Sequence, residues 1–230
     1  MHQDEQKALV ANEAVHVLLK HEPAFQILGI GTGSTVNFFI DALAPYAKRF
    51  KGVVSSSQAS TERLLQKGFT VLDANDVVTL DVYIDGADEI NPQGVMLKGG
   101  GGALTREKIV ASMAKVFICI CDSSKQVALL GQFPLPIEVI PLASQKVTQY
   151  LEKLGGVVRL RKSKTDVSQN FVTDNAGWIL DVSGLQITDP KALERELNQI
   201  PGVICNGIFA QNKAQQLIVS SQHGVETIQF

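Results

Sequence analysis

Phe25-Gln26-Ile27-Leu28-Gly29-Ile30-Gly31-Thr32-Gly33-Ser34-Thr35 is the stretch from which the fold can be read. Its first half, Phe25 to Ile30, is a short apolar run with the character of a buried strand. Its second half is a glycine turn, after which Val36, Phe39, Ile40 and Leu43 recur at helical spacing. Strand, glycine turn and helix in that order open a βαβ unit. Glycines let a backbone approach a ligand closely, and the helix beyond them offers unpaired N–H groups to an anion. Ser34 and Thr35 add hydroxyl donors. The turn departs from the dinucleotide fingerprint G-x-G-x-x-G: Ser34 holds the third glycine position, and no acidic residue follows about 20 residues on. It is no P-loop either, because no Gly-Lys-Ser/Thr follows.

Working outward, residues 4–20 read as a helix with Asp4 as N-cap, a stripe of Val10, Ala14, Val17 and Leu18, and Pro23 as its stop. Downstream, Val53-Val54 is a short strand, and the Ser55 to Thr61 turn leads into a helix ending near Gly68. Phe69 to Leu72 looks extended. Val82 to Ile84 is a β-branched and aromatic strand, a helix spans about Leu104 to Ala114, and Val116 to Cys121 is a continuous apolar strand. Strands alternating with helices predict a mostly parallel sheet covered on both faces. The rhythm changes near Gly131. Strands at Ile137–Ile140, Val157–Arg161, Trp178–Val182 and Val203–Cys205 are separated by two helices, one carrying Val147, Tyr150, Leu151 and Leu154 and one begun by Asp189-Pro190. That order, β-α-β-β-α-β, is the split βαβ pattern of a small α/β sandwich. Gln216–Val219 and Val225–Ile228 read as strands that rejoin the first domain or edge the interface. The domains expected are therefore 1–130 with 207–230, and 131–206.

Composition narrows the function classes. With 21 Lys plus Arg against 23 Asp plus Glu, the formal charge is −2. No basic excess serves nucleic acid or an anionic membrane, so neither is expected as a partner, although a local cationic pocket stays open. Cys119, Cys121 and Cys205 are an odd set without metal-ligand spacing, read as buried thiols of a reducing compartment. Met1 to Glu5 lacks the basic-then-apolar pattern of a signal peptide, and no run approaches the ~20 apolar residues of a membrane span. A cytoplasmic location is expected.

In an open parallel sheet, the loops beyond the carboxyl ends of the strands share one edge, where ligands bind. The turns after Ile30, Val54, Ile84 and Cys121 fall there. Asp85-Gly86-Ala87-Asp88-Glu89 places three carboxylates in five residues, a pattern open to divalent metal binding, to acid–base chemistry, or to plain solvation. Lys98-Gly99-Gly100-Gly101-Gly102-Ala103-Leu104-Thr105-Arg106-Glu107-Lys108 joins a flexible cradle to a helix. Four consecutive glycines are costly to order, which a merely structural loop would rarely accept. Lys98 sets a cation at one end of the cradle. Glu107 either faces the same crevice or is an exposed helix glutamate paired with Lys108. Lys125, after the next strand, is a candidate phosphate or hydroxyl contact. The four histidines cluster with nothing and suggest no triad or metal site.

Gly-Ile-Gly-Thr-Gly-Ser-Thr (29–35), Ser-Ser-Ser-Gln-Ala-Ser-Thr-Glu (55–62), Asp-Gly-Ala-Asp-Glu-Ile (85–90) and Lys-Gly-Gly-Gly-Gly-Ala-Leu-Thr-Arg-Glu-Lys (98–108), in that order, resemble ribose-5-phosphate isomerase of type A. The likeness continues through Phe133-Pro134-Leu135-Pro136-Ile137-Glu138-Val139 and Val172-Thr173-Asp174-Asn175. The resemblance implies a Rossmann-like α/β domain with a smaller, ferredoxin-like α/β domain. It implies interconversion of ribose 5-phosphate and ribulose 5-phosphate in the pentose phosphate pathway, with no cofactor and no metal, in a homodimer or higher homo-oligomer. By residue, it implies a base at Glu107, with Asp85, Asp88 and Lys98 around the reacting end of the sugar. Thr32, Gly33, Ser34, Thr35, Gly86, Ala87, Gly99, Gly100, Gly101 and Lys125 would hold the rest of the substrate. Independently of the resemblance, a first helix folded over the site would bring Lys7 as an extra cation. The sequence departs from the family in the polar segment 161–170, and in Asn175-Ala176-Gly177, where Asn-Gly-Asn is more usual. A regulatory sugar-phosphate-binding domain, an amino-sugar-phosphate deaminase and a coenzyme A transferase share the fold class and stand as alternatives.

Overall fold

The computed structural model describes residues 2–21 and 24–230, so Pro23, the expected helix stop, lies outside the described residues. The chain divides into two compact units. The first runs to Ala87, resumes over Arg106–Gln126 and closes with Asn212–Phe230; the second comprises Asp88–Thr105 and Val127–Gln211. The segment 88–105 therefore packs with the smaller sheet, whereas the sequence boundary near Gly131 assigns it to the first domain.

In the first unit, α1 (Gln3–Lys20) is followed by β1 (Ile27–Ile30), α2 (Ser34–Leu43), β2 (Gly52–Ser55), α3 (Gln58–Gln66) and β3 (Val82–Asp85). After the excursion to the second unit come most of α4 (Leu104–Met113), then β6 (Phe117–Asp122), β12 (Gln216–Ser221) and β13 (Gly224–Gln229). The six strands lie in the order β13-β12-β6-β3-β1-β2, all parallel except the β12–β13 edge pair. The last two strands thus complete the first sheet. From β1 the chain goes outward to β2 and then back across to β3, so the strand order reverses at the β1–β3 crevice, where such sheets bind ligands.

Periodicity explains what is buried. Val36, Phe39, Ile40 and Leu43 are the buried residues of α2, and Val10, Ala11, Ala14, Val15 and Leu18 those of α1. One correction concerns the start of α1. His2 is the N-cap and Asp4 lies in the first turn, because the Glu5 carboxylate reaches back to accept from the His2 N–H at 2.9 Å. Every residue of β6 is buried, Cys119 and Cys121 among them, and Cys205 is a third buried free thiol. No helix among the described residues is long and apolar enough to cross a membrane.

The second unit holds β4 (Glu89–Ile90), β5 (Met96–Leu97), β7 (Leu135–Val139), α5 (Ser144–Lys153), β8 (Val157–Leu160), β9 (Trp178–Ser183), α6 (Pro190–Asn198), β10 (Val203–Asn206) and β11 (Ile208–Phe209). Four of its strands form an antiparallel sheet in the order β10-β7-β9-β8, which realises the expected β-α-β-β-α-β topology. Asp189 caps α6, its carboxylate accepting from the Ala192 N–H at 3.0 Å ahead of Pro190. A second small sheet, β11-β5-β4, has no counterpart in the sequence reading. Its β5 leads directly into Lys98.

Candidate active site

Each unit assembles its own set of the residues singled out above. In the first, β1 and β3 end side by side, with the Gly31 N–H donating to the Ile84 carbonyl at 2.9 Å. Asp85, the last residue of β3, is fully buried. Its carboxylate accepts from the N–H groups of Thr32 (3.1 Å) and Gly86 (2.7 Å) and from the Tyr83 hydroxyl. The turn must be glycine for reasons of space: a Cβ on Gly31 would lie 1.9 Å from Cγ of Asp85. The serine motif fastens the same turn from the other side. Ser60 Oγ donates to the Gly31 carbonyl at 2.7 Å, Ser56 Oγ shares a 2.9 Å hydrogen bond with Thr32 Oγ1, and Ser57 caps α3.

Beyond this turn α2 begins with Gly33 at φ 121° as N-cap and no side-chain cap. Gly33 and Ser34 are exposed, Thr32 and Thr35 half-buried. The first N–H groups of the helix thus face outward beside three hydroxyl-bearing residues, an arrangement suited to an anion. Lys125 ends a short 3-10 helix, Ser123–Lys125, that follows β6 and is capped by Asp122. Lys7 pairs with Asp4 on its own helix at 3.3 Å.

Glu107 is buried in the first turn of α4, not an exposed helix glutamate. Tyr83, wholly buried, donates its hydroxyl to Asp85 and feels the charge of Glu107. Burial above all, then the negative charges of Asp85 and Glu107, raises the Tyr83 phenol well above its ordinary range. At neutral pH Tyr83 is therefore a neutral donor, hydrogen-bonded to Asp85 and in the field of the Glu107 carboxylate. The sequence reading passed over Tyr83, although a signal existed: residues two apart on a strand point to the same side.

In the second unit, Lys98 extends β5, its N–H donating to the Gly207 carbonyl at 2.9 Å. Its side chain is buried, with Nζ 5.5 Å from the centre of the Phe209 ring. Asp88 accepts the Gly100 N–H at 2.7 Å, and a Cβ on Gly100 would lie 2.5 Å from Asp88 Oδ1. Gly100 thus makes room for one aspartate as Gly31 does for another. Gly99 (φ 102°) and Gly102 (φ 82°) take left-handed conformations, and the Gly102 N–H closes a turn on the Gly99 carbonyl at 2.8 Å.

Arg161, at the head of the polar segment 161–170, braces this cradle. Nη1 donates to the carbonyls of Gly99 (3.0 Å) and Gly100 (3.2 Å). Nε and Nη2 grip the two Asp181 oxygens, and Phe171 lies against the guanidinium at 5.7 Å. Gly100, Gly101, Phe133, Arg159, Arg161 and Phe171 help line a cavity of about 470 Å³. Nothing in the local sequence announces the Arg161–Asp181 pair, which forms only once β8 lies beside β9.

Among the described residues, no three His, Cys, Asp or Glu side chains gather as a metal would require. Asp85 and Asp88 each fix a glycine turn through backbone N–H donors.

Comparison with known proteins points to one family. The family model described as ribose 5-phosphate isomerase A (phosphoriboisomerase A) matches residues 52–224. A ribose-5-phosphate isomerase A of Polynucleobacter asymbioticus is 62% identical over 235 residues, covering 99% of each chain. Among solved structures, ribose 5 phosphate isomerase A from Neisseria gonorrhoeae superposes with a TM-score of 0.92 at 44% identity, covering 99% of this chain and 97% of that one. A D-ribose-5-phosphate isomerase in complex with phospho-erythronic acid does so with a TM-score of 0.92 at 36% identity, over the whole of both chains.

Proposed function

Because the chain belongs to the ribose 5-phosphate isomerase A family, we infer that it is an aldose–ketose isomerase interconverting D-ribose 5-phosphate and D-ribulose 5-phosphate. The observation that carries the chemistry is the burial of the Asp85 and Glu107 carboxylates, Asp85 hydrogen-bonded to the neutral phenol of Tyr83.

Moving a carbonyl from C1 to C2 requires one group that takes a proton from C2 and returns it to C1. Glu107, buried in the first turn of a helix, is our choice for that base. Positioned general bases contribute roughly 10²–10⁴-fold. Removal of the C2 proton leaves a cis-enediolate, whose negative oxygen calls for a preorganised cation. Lys98, buried and with its ammonium against the Phe209 ring, fits that task. Reprotonation at C1, with transfer of the O2 hydroxyl proton to O1, gives the ketose. The substrate is mostly a closed ring, and opening it takes acid–base help. Asp85 is assigned that step, with Tyr83 as its hydrogen-bonding partner and Asp88 as anchor for a sugar hydroxyl. The open N-terminus of α2 with Thr32 to Thr35, aided by Lys125, suits the phosphate. Gly86, Ala87 and the Gly99–Gly101 backbone are assigned to the sugar. A solved relative holds phospho-erythronic acid, whose carboxylate resembles the enediolate in charge and shape.

The test is a coupled assay for ribulose 5-phosphate formed from ribose 5-phosphate. Glu107→Gln should lose roughly 10²–10⁴-fold in kcat while calorimetry still detects substrate binding. A variant that turns over at near the parent rate would remove Glu107 from the role of base. Ammonia release from glucosamine 6-phosphate, or acyl transfer, would instead mark another enzyme of this fold class.

A further inference from the structure

Two stretches that mark the family resemblance, Phe133 to Val139 and Val172 to Asn175, take no part in the proposed chemistry, yet they meet on one carboxylate in the second unit. Glu138 lies on β7, inside the four-stranded sheet, and is fully buried. Its Oε1 accepts from the Thr173 hydroxyl at 2.5 Å and from the Asn175 side-chain amide at 3.3 Å. Its Oε2 accepts from the hydroxyl of Thr105, in the first turn of α4. The turn closes on the carboxylate because residue 177 is glycine: a Cβ there would lie 2.6 Å from Oε1.

Burying a carboxylate is costly unless its lone pairs are filled, and an apolar side chain in β7 would avoid that cost. The donors here are two threonine hydroxyls and an amide. One of them belongs to the helix that, two residues later, carries Glu107. The distance along the sequence is short, and a helical turn is stiff, so a grip on Thr105 fixes both the rotation of α4 about its axis and the position of its first turn.

We propose that Glu138 is a positioning residue for the isomerisation, acting through Thr105 to aim Glu107. The proposal rests on Glu107 as the base. Small displacements of a reacting group are expensive, about 10²-fold for roughly 1 Å, so losing the grip should show in kcat and little in KM. Stability should fall modestly, since Glu138 loses one donor while α4 keeps its other packing, including buried Leu104 and Val110.

Thr105→Val keeps the shape of the side chain and removes the hydroxyl; Thr105→Ser keeps the hydroxyl. Thr105→Val is expected to lower kcat roughly 10- to 100-fold, with KM for ribose 5-phosphate within about twofold and Tm lowered by a few degrees that leave the protein folded in the assay, whereas Thr105→Ser stays close to the parent. Glu138→Gln combined with Thr105→Val should be no slower than the slower single variant, since both lesions break one contact. Parent kcat in Thr105→Val, a loss that merely tracks unfolded protein, or effects of the two lesions that multiply would each overturn the proposal. Glu107→Gln is assayed alongside. If it is inactive and Thr105→Val is not impaired, the positioning claim alone fails; if Glu107→Gln is active, the base assignment fails.

Discussion

Ala176 is the only residue other than glycine, among those described, whose backbone lies in the left-handed region, with φ 61°. It sits in the turn that brings Asn175 to Glu138, at the place where Asn-Gly-Asn would be more usual. A left-handed conformation costs an L-residue about 1–2 kcal/mol, because Cβ crowds the following carbonyl. Ala176→Gly removes that cost but restores about 0.4–1 kcal/mol of chain freedom to the unfolded state. The balance favours the glycine variant by about 0.5–1 kcal/mol. At roughly 2–4 °C per kcal/mol for a chain of this size, calorimetry should find Tm raised by a small but measurable step. A lower Tm would mean that the turn holds Ala176 for contacts outweighing its backbone strain. Gly31 and Gly100 obey a different rule. They are glycine because an aspartate carboxylate occupies the space of their missing side chains. The sequence shows both as members of glycine-rich turns and suggests close approach of a ligand. That the nearest approach is by Asp85 and Asp88 depends on pairing across chain segments, which no local pattern contains.

At the scale of elements, legibility followed length and periodicity. α2, β6 and α6 stand out because an apolar stripe, an unbroken apolar run and an Asp-Pro cap are local signals. The β4, β5 and β11 pieces have two residues each, too few for any period to show, and the β11–β5 pairing joins residues more than a hundred positions apart. Glu107 and Lys98 were legible as candidates by position, but their burial was not, since polar residues next to glycines usually meet water. Asp81, just before β3, was missed altogether. It accepts from the Gln26 and Ile27 N–H groups at 2.8 and 3.0 Å, tying the start of β1 to that of β3, and Lys115 pairs with it at 2.8 Å. Burial pushes its carboxyl up, but the Lys115 hydrogen bond and the two backbone donors together outweigh this, so its pKa falls below the usual 3.8. A depressed carboxylate stabilises the fold above its unfolded pKa, and that contribution is lost as pH falls through the lower folded value. Lys115 is mostly exposed, so the backbone bonds carry most of the effect. Asp81→Asn should therefore lower Tm by a few degrees at pH 7 and progressively less as the pH drops below about 4. Equal Tm differences at pH 7 and pH 3 would show that ionisation of Asp81 is not what stabilises the β1–β3 junction.

For the whole molecule, the sequence boundary and the packing lead to opposite outcomes for one experiment. If residues 1–130 with 207–230 formed a self-sufficient catalytic domain, then replacing 131–206 with a short glycine–serine linker would leave a folded, active enzyme. The packing argues otherwise, because 88–105 builds its structure on 127–211. β5 pairs with β11, Lys98 bonds the Gly207 carbonyl, Arg161 and Asp181 hold Gly99 and Gly100, and Glu138 holds Thr105. Two of these four supports, those from Arg161 with Asp181 and from Glu138, come from residues the deletion removes. Glu89 would also lose its partners, the N–H groups of Gly131 and Phe133. The Asp85 turn and the serine clasp on it lie wholly in the first unit and need none of the deleted residues. The shortened chain is therefore expected to keep the far-ultraviolet signature of the parallel sheet while the 88–105 segment exchanges its amide hydrogens rapidly. Turnover of ribose 5-phosphate should be lost. Retained isomerase activity, with 88–105 protected from exchange, would restore the boundary at Gly131 and reduce the second unit to an appendage of the chemistry.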